Sequence, residues 1–248
     1  MSSYQVTSRV APGCFDAHSL VTDQPVRIEL AGEEDSALID VRFSRAAAQL
    51  TLCDHPCIAQ ILETGVLSNG RPWVASARPE GTALSDMFAK GRLTHDQTVA
   101  LVHSTAGVLM HAHQRAIVHG GVRPHHLTLA KGAKVTISGW AWLRTRDVPA
   151  FGDPVSTSVY NPPEHDGTSP ITGRADIYAL GALAYRAITG VFPDVANDLV
   201  DPRTPLGHVI SAMLTFDARD RPSARAVVDF LTPLREERRS YRMAAVGT

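Results

Sequence analysis

The apolar residues of this chain change their period near residue 83, and that change constrains the fold more than any other feature. Residues 4–10 and 25–30 alternate apolar and polar side chains around the turn-prone segments APG and TDQP, the period-two pattern of strands with one buried face. Ile58–Leu67 and Trp73–Ala77, separated by SNGRP, are two further strand candidates. One helix is expected among them, over residues 41–53 (VRFSRAAAQLTLC), where helical periodicity meets alanine-rich propensity. From residue 83 the texture turns helical. Ala83–Lys90 and His95–Arg115 read as helices, the second long and amphipathic. Short strands are expected at 127–129 and 135–137, then a loop punctuated by proline and glycine from 144 to 173, then helices from 174 onward. A small strand-rich lobe joined to a larger helical one is an α+β plan. The joint falls near Ala77–Gly81, giving expected lobes of residues 1–79 and 80–248 within one domain.

Composition narrows the function classes. The chain has 248 residues, of which 44% are hydrophobic and 20% charged, with a net charge of −1. It therefore has no global field that would draw it to nucleic acid or an acidic membrane. The longest apolar run, Ala179 to Phe192, is broken by Arg186 and too short to span a bilayer. The three cysteines, Cys14, Cys53 and Cys57, make no paired framework, and no secretory start is evident. A cytoplasmic setting is expected, either free or as the cytoplasmic domain of an inner-membrane protein. His55 between Cys53 and Cys57 is the best metal candidate, but nothing supplies a matching second half, so no metal is expected.

The motifs are more specific than the periodicity. HAHQRAIVHGGVRPHHLTL (111–129), YNPPEH (160–165), ADIYALGALAYRAITGVFPD (175–194) and DARDRPSARAVVDFL (217–231) follow one another in order, with DHPCIAQILETG (54–65) upstream. This series resembles the catalytic loop, activation-segment end, central helix and closing helix of Ser/Thr protein kinases, especially the bacterial receptor-kinase type. The resemblance implies a bilobal kinase-like fold with one C-helix in the small lobe. It also assigns structural anchors: Asp176 at the start of the central helix, His119 packed beside it, and Glu164 paired with Arg221.

The positions that carry catalysis in that family hold other residues here. Phosphoryl transfer relies on a lysine, a C-helix glutamate, magnesium ligands and a general base. The lysine position aligns with Glu29 in Val26-Arg27-Ile28-Glu29, and no lysine precedes Lys90. The C-helix glutamate falls on Ala46, the catalytic aspartate on Gly121, the downstream asparagine on His126, and the metal-binding aspartate on Gly139. Asp16 stands in the remnant of the glycine-rich loop, where it is expected to face phosphate. Arg27 shares a strand face with Glu29 and is expected to fill the roof of the nucleotide cleft, with Trp140 adding bulk at its floor. These substitutions predict a pseudokinase that is not an enzyme and that needs no cofactor or metal.

Two groups of residues admit more than one reading. The 11 histidines include a cluster at His111, His113, His119, His125 and His126, which suits either packing or an acid–base site. Trp140 and Trp142 suit either a plugged cleft or a stacking platform. The resemblance extends to the cytoplasmic pseudokinase domain of actinobacterial MviN, the lipid II flippase family of peptidoglycan synthesis. It implies a regulatory scaffold phosphorylated on threonine by an active Ser/Thr kinase and then bound by a forkhead-associated-domain protein, in cell-wall signalling. Thr145, Thr157, Thr168, Thr232 and Thr248 are the candidate phosphosites. The competing readings are a small-ligand sensor in the remodelled cleft and an atypical nucleotide-dependent enzyme.

Overall fold

The computed structural model describes residues 3–11, 13–30, 50, 53–140, 159–164, 171–193 and 200–246, with side chains through Glu236. Its first part is an antiparallel sheet of five strands: β1 (Tyr4–Ala11), β2 (Cys14–Ser19), β3 (Pro25–Leu30), β4 (Ile61–Val66) and β5 (Pro72–Ala77). Their order in the sheet is β1-β2-β3-β5-β4. The central strand β3 explains the two faces. Val26 and Ile28 point one way and pack with Ala17, Trp73 and Ala75, with Tyr4, Leu30 and Leu67 at the margin. Arg27 and Glu29 point the other way, because side chains alternate along a strand, and both are buried. Asp16, Arg27 and Ser76 lie side by side across β2, β3 and β5.

The second part begins with a small sheet of β6 (Thr82–Ala83), β7 (Leu127–Leu129) and β8 (Val135–Ile137). Helices α1 (Leu84–Lys90), α2 (His95–His113), α3 (Gly173–Thr189), α4 (Pro205–Met213) and α5 (Ala224–Val246) complete it. Helix α2 starts at a capping box. The Gln97 amide donates to Thr94 Oγ1 at 3.2 Å, and the Thr94 amide donates to Gln97 Oε1 at 2.8 Å. Helix α3 is capped by the Thr172 hydroxyl and ends where Gly190 turns left-handed. Leu101, Val102, Leu109, Ile177, Leu180, Leu183, Ile210 and Val227 form the core between α2, α3, α4 and α5. The parts also meet away from the joint, where the Ala59 amide donates to the Ile137 carbonyl at 2.9 Å and the Ile137 amide to the Cys57 carbonyl at 2.8 Å.

The architecture is thus mixed α+β, a strand-rich sheet followed by a helical part, consistent with the bilobal kinase-like plan. Two differences from the sequence expectation have physical causes. Strand β2 escapes a pattern search because four of its six residues are buried without strict alternation, Asp16 among them. The strand expected over Ile58–Leu67 begins only at Ile61, because residues 58 and 59 bond to the other sheet instead. The helix expected over 41–53 lies outside the described residues except for Leu50 and Cys53. No described helix is long and apolar enough to cross a membrane.

Candidate functional site

Asp176, in the first turn of α3, organises the segment that resembles a catalytic loop. Its Oδ2 accepts from the His119 amide at 2.9 Å and from His113 Nε2 at 2.9 Å, and its Oδ1 accepts from the Gly120 amide at 2.7 Å. The carboxylate is 1% exposed. Three donors around a buried carboxylate satisfy the acceptor capacity that burial demands. His119 continues the chain of bonds: Nε2 donates to the Ser138 carbonyl at 2.8 Å, while Nδ1 accepts from the Gly121 amide at 3.2 Å. Its tautomer is fixed by those partners, and burial holds its pKa below the usual histidine value.

His126 and Gly139 occupy one space. The His126 ring lies against His119 (ring centres 5.3 Å apart) and His125 (4.2 Å), and its Nδ1 donates to the Gly121 carbonyl at 2.8 Å. A Cβ on Gly139 would fall 2.6 Å from Cδ2 of this ring, and the φ of +82° there disfavours any other residue. Gly121 has no such neighbour: the nearest atom to a Cβ there is His119 Nδ1, at 4.0 Å. Trp140 packs edge-on against His119 at 4.7 Å and donates from Nε1 to the Ile137 carbonyl at 2.9 Å, inside the core of the helical part. Burial, reinforced by His125 and His119, pushes the His126 pKa well down. His125 falls to about 4 through burial and the nearby Arg123 and Arg27.

Across the cleft, Arg27 is ion-paired. Its Nε and Nη2 donate to Asp16 Oδ1 at 3.1 and 3.0 Å, and Nη1 donates to the His125 carbonyl at 3.2 Å. Asp16 Oδ2 takes Arg78 Nη2 at 3.1 Å. The side chain expected to face phosphate is therefore held between two guanidinium groups, a pairing set by the β2–β3 register. Glu29 is buried beside them at 3% exposure. Burial, with Glu29 and Asp16 adding like charge, raises the Cys14 thiol pKa.

The anchor pair meets as the motif implies. Arg221, fully buried, donates from Nη1 and Nη2 to Glu164 Oε1 and Oε2 at 2.6 and 2.7 Å and to the Arg174 and Phe216 carbonyls, and from Nε to the Thr215 carbonyl. Two residues of this region carry no motif signal that singles them out. Arg123 donates to Asn161 and lies 5.5 Å from the Tyr160 ring, while Arg186 donates to the Tyr160 hydroxyl at 2.7 Å and sits between Phe88 and Phe192. Arg123 joins the loop at 119–126, and Arg186 joins α3, to the segment at 160–164. Their partners are remote in sequence, so only basic residues beside aromatic ones hint at them.

Among the candidate phosphosites only Thr232 is described. It lies inside α5, where its hydroxyl donates to the Val228 carbonyl at 2.8 Å and faces His103 Nε2 at 3.1 Å. That is a helical placement, not the flexible context its sequence neighbourhood suggests. Ala46, Trp142, Thr145, Thr157, Thr168 and Thr248 lie outside the described residues. No cluster of three or more potential metal ligands occurs among the described residues.

No protein-family model matches the chain. Serine/threonine-protein kinase PknJ of Mycobacterium bovis and of Mycobacterium tuberculosis is 27% identical over 175 residues, spanning 68% of this chain and 30% of the kinase. Serine/threonine-protein kinase PknB of Mycolicibacterium smegmatis is 24% identical over 192 residues, spanning 74% of this chain and 30% of the kinase. These relatives support the protein kinase superfamily. The chain thus spans under a third of the length of the curated relatives it matches. They also correct one expectation. The substitutions at Glu29, Gly121, His126 and Gly139 predict a chain that is not an enzyme, whereas relatives named as protein kinases point to a kinase-type enzyme.

Proposed function

We propose that this chain is a regulatory kinase-fold scaffold. An active Ser/Thr protein kinase phosphorylates it on threonine, and a forkhead-associated-domain protein then binds the phosphothreonine. The observation that carries this reading is the packing of the catalytic-loop segment: the His126 ring fills the space beside Gly139, and Asp176 ties His119 and Gly120 into the helical core. Such packing favours a fixed surface for protein association. A role in control of peptidoglycan synthesis at the cytoplasmic face of a membrane is part of this proposal, and the sequence resemblance to the MviN domain is what supports it.

A phosphate adds nearly two negative charges and three acceptor oxygens, which a phosphothreonine-reading domain recognises. Thr232 is the least favoured of the candidate sites, because a kinase would have to pull its hydroxyl from Val228 and His103. The choice falls among Thr145, Thr157, Thr168 and Thr248. The decisive experiment incubates the chain with an active bacterial Ser/Thr kinase, ATP and magnesium, maps phosphothreonine by mass spectrometry, and then measures capture by forkhead-associated domains. Capture that appears on phosphorylation and vanishes with alanine at the mapped threonine supports the scaffold. Absence of both phosphorylation and capture rejects it.

The relatives favour a second reading, a kinase-type activity of the chain itself. With Glu29, Gly121, His126 and Gly139 at the family's catalytic positions, that activity would use other groups. Phosphate incorporation by the chain alone, without an added kinase, is its readout.

A further inference from the structure

The Arg27 guanidinium has bonds on three sides, and they do not all lie in one lobe. Nε and Nη2 are engaged by Asp16 of the neighbouring strand, which is itself turned by Arg78 at the joint. This leaves Nη1 aimed across the cleft, where it meets the backbone carbonyl of His125, 98 residues away. The Arg27 and Asp16 side chains are only 5% and 9% exposed. A charge-assisted bond in such a setting is stronger and more directional than one at a wet surface.

Among the described residues the lobes also meet away from the joint through the segment at 53–59: Cys57 and Ala59 pair with Ile137, His55 lies 4.7 Å from His111 ring to ring, and Cys53 and Ile58 enter the helical core. All of these contacts come from one stretch of chain. The Arg27 bond comes from β3, a different element, and adds a constraint on the sheet itself. Asp16 has the role of a positioning group: it holds Arg27 extended toward the cleft, and its own charge is balanced by Arg78.

We propose that Arg27 is a latch that holds the two lobes in one closed arrangement, and that its release opens the cleft. This inference stands on the cleft geometry alone and does not depend on the scaffold reading.

The test is an interlobe distance distribution from pulsed electron paramagnetic resonance. Spin labels go on Leu20→Cys in the sheet and Asp229→Cys on α5, both exposed positions, in a Cys57→Ser background. The unaltered Arg27 protein should give a single narrow distribution. Arg27→Lys keeps a cation beside Asp16 but is too short in donors to hold Asp16 and the His125 carbonyl together. It should broaden the distribution and move it to longer distance. Arg27→Met with Asp16→Leu removes the pair without stranding a charge and should do the same. Arg78→Ala, which leaves the interlobe bond in place, should not. A broad distribution with Arg27 present overturns the proposal without recourse to any variant. So does a narrow, unmoved distribution in Arg27→Lys.

Discussion

The ring of His126 stands where a side chain on Gly139 would have to go, 2.6 Å from the Cβ position at its Cδ2 atom. These are the two positions that the kinase resemblance assigns to magnesium ligands. The His126 ring occupies the space that a side chain at position 139 would need. His126 is then fixed by its bond to the Gly121 carbonyl and by the neighbouring rings of His119 and His125. The pair is a packing solution, and a single reversion at Gly139 would collide with it.

Gly121 differs from Gly139 in this respect. Its φ is not among the positive values, and a Cβ would meet nothing closer than 4.0 Å. Gly121→Asp should therefore be tolerated, with a change in unfolding free energy of less than about 1 kcal/mol. Chemical denaturation against the unaltered protein checks this; a loss several times larger would mean the loop is tighter than its geometry indicates.

Asp176 should tolerate no change. Asp176→Asn keeps the shape but turns one acceptor into a donor facing the His119 amide and His113 Nε2. Leaving such buried donors unsatisfied costs about 1–3 kcal/mol for each group. The expected result is a marked fall in melting temperature, and an unchanged melt would show that the bonds to Asp176 add little.

Glu164→Gln probes the other anchor. The Arg221 guanidinium is fully buried and would lose its counter-charge, although three backbone carbonyls would remain. Breaking a buried pair by removing one partner costs about 3–5 kcal/mol. The 27% exposure of the Glu164 side chain places the expected loss at or below the lower end of that range, about 3 kcal/mol. Arg221→Met with Glu164→Leu should recover part of it.

Stability should depend on pH through the buried histidines. His119, His125 and His126 are held neutral in the folded protein, chiefly by burial, and His125 is lowered to about 4. The unfolded chain takes up protons at these sites near 6.5, where the folded protein does not. It follows that stability is full above about pH 6.5 and falls as pH drops from there toward 4. For His125 alone the gap corresponds to roughly 3 kcal/mol. Melting temperatures across pH 4–8 should fall on the acid side; a flat profile would contradict the buried, neutral assignment.

Much of this fold was legible because its signals are local. Strands β7 and β8 begin and end where the sequence puts them, and α2 starts at His95 as expected. Strand alternation puts Arg27 on the face of Glu29, and the kinase resemblance is what turns that face to the cleft. What was not legible is set by register and by contacts between distant segments. Asp16 reads as a charge facing phosphate until the pairing of β2 with β3 puts it beside Arg27. His126 and Gly139 read as two separate losses until their shared space is seen. Thr232 reads as a threonine in a flexible context, yet it lies inside α5, which continues through Pro233.

The coupling of His126 and Gly139 is the point on which the account turns, and a double-mutant cycle measures it directly. Gly139→Ala should be strongly destabilising beside the His126 ring, and much less so in a His126→Ala background, where only the strain of the positive φ remains. The expected coupling free energy is at least about 1 kcal/mol, within the range for residues in contact. Additive effects of the two substitutions, with no coupling, would contradict the claim that these two positions pack as one unit.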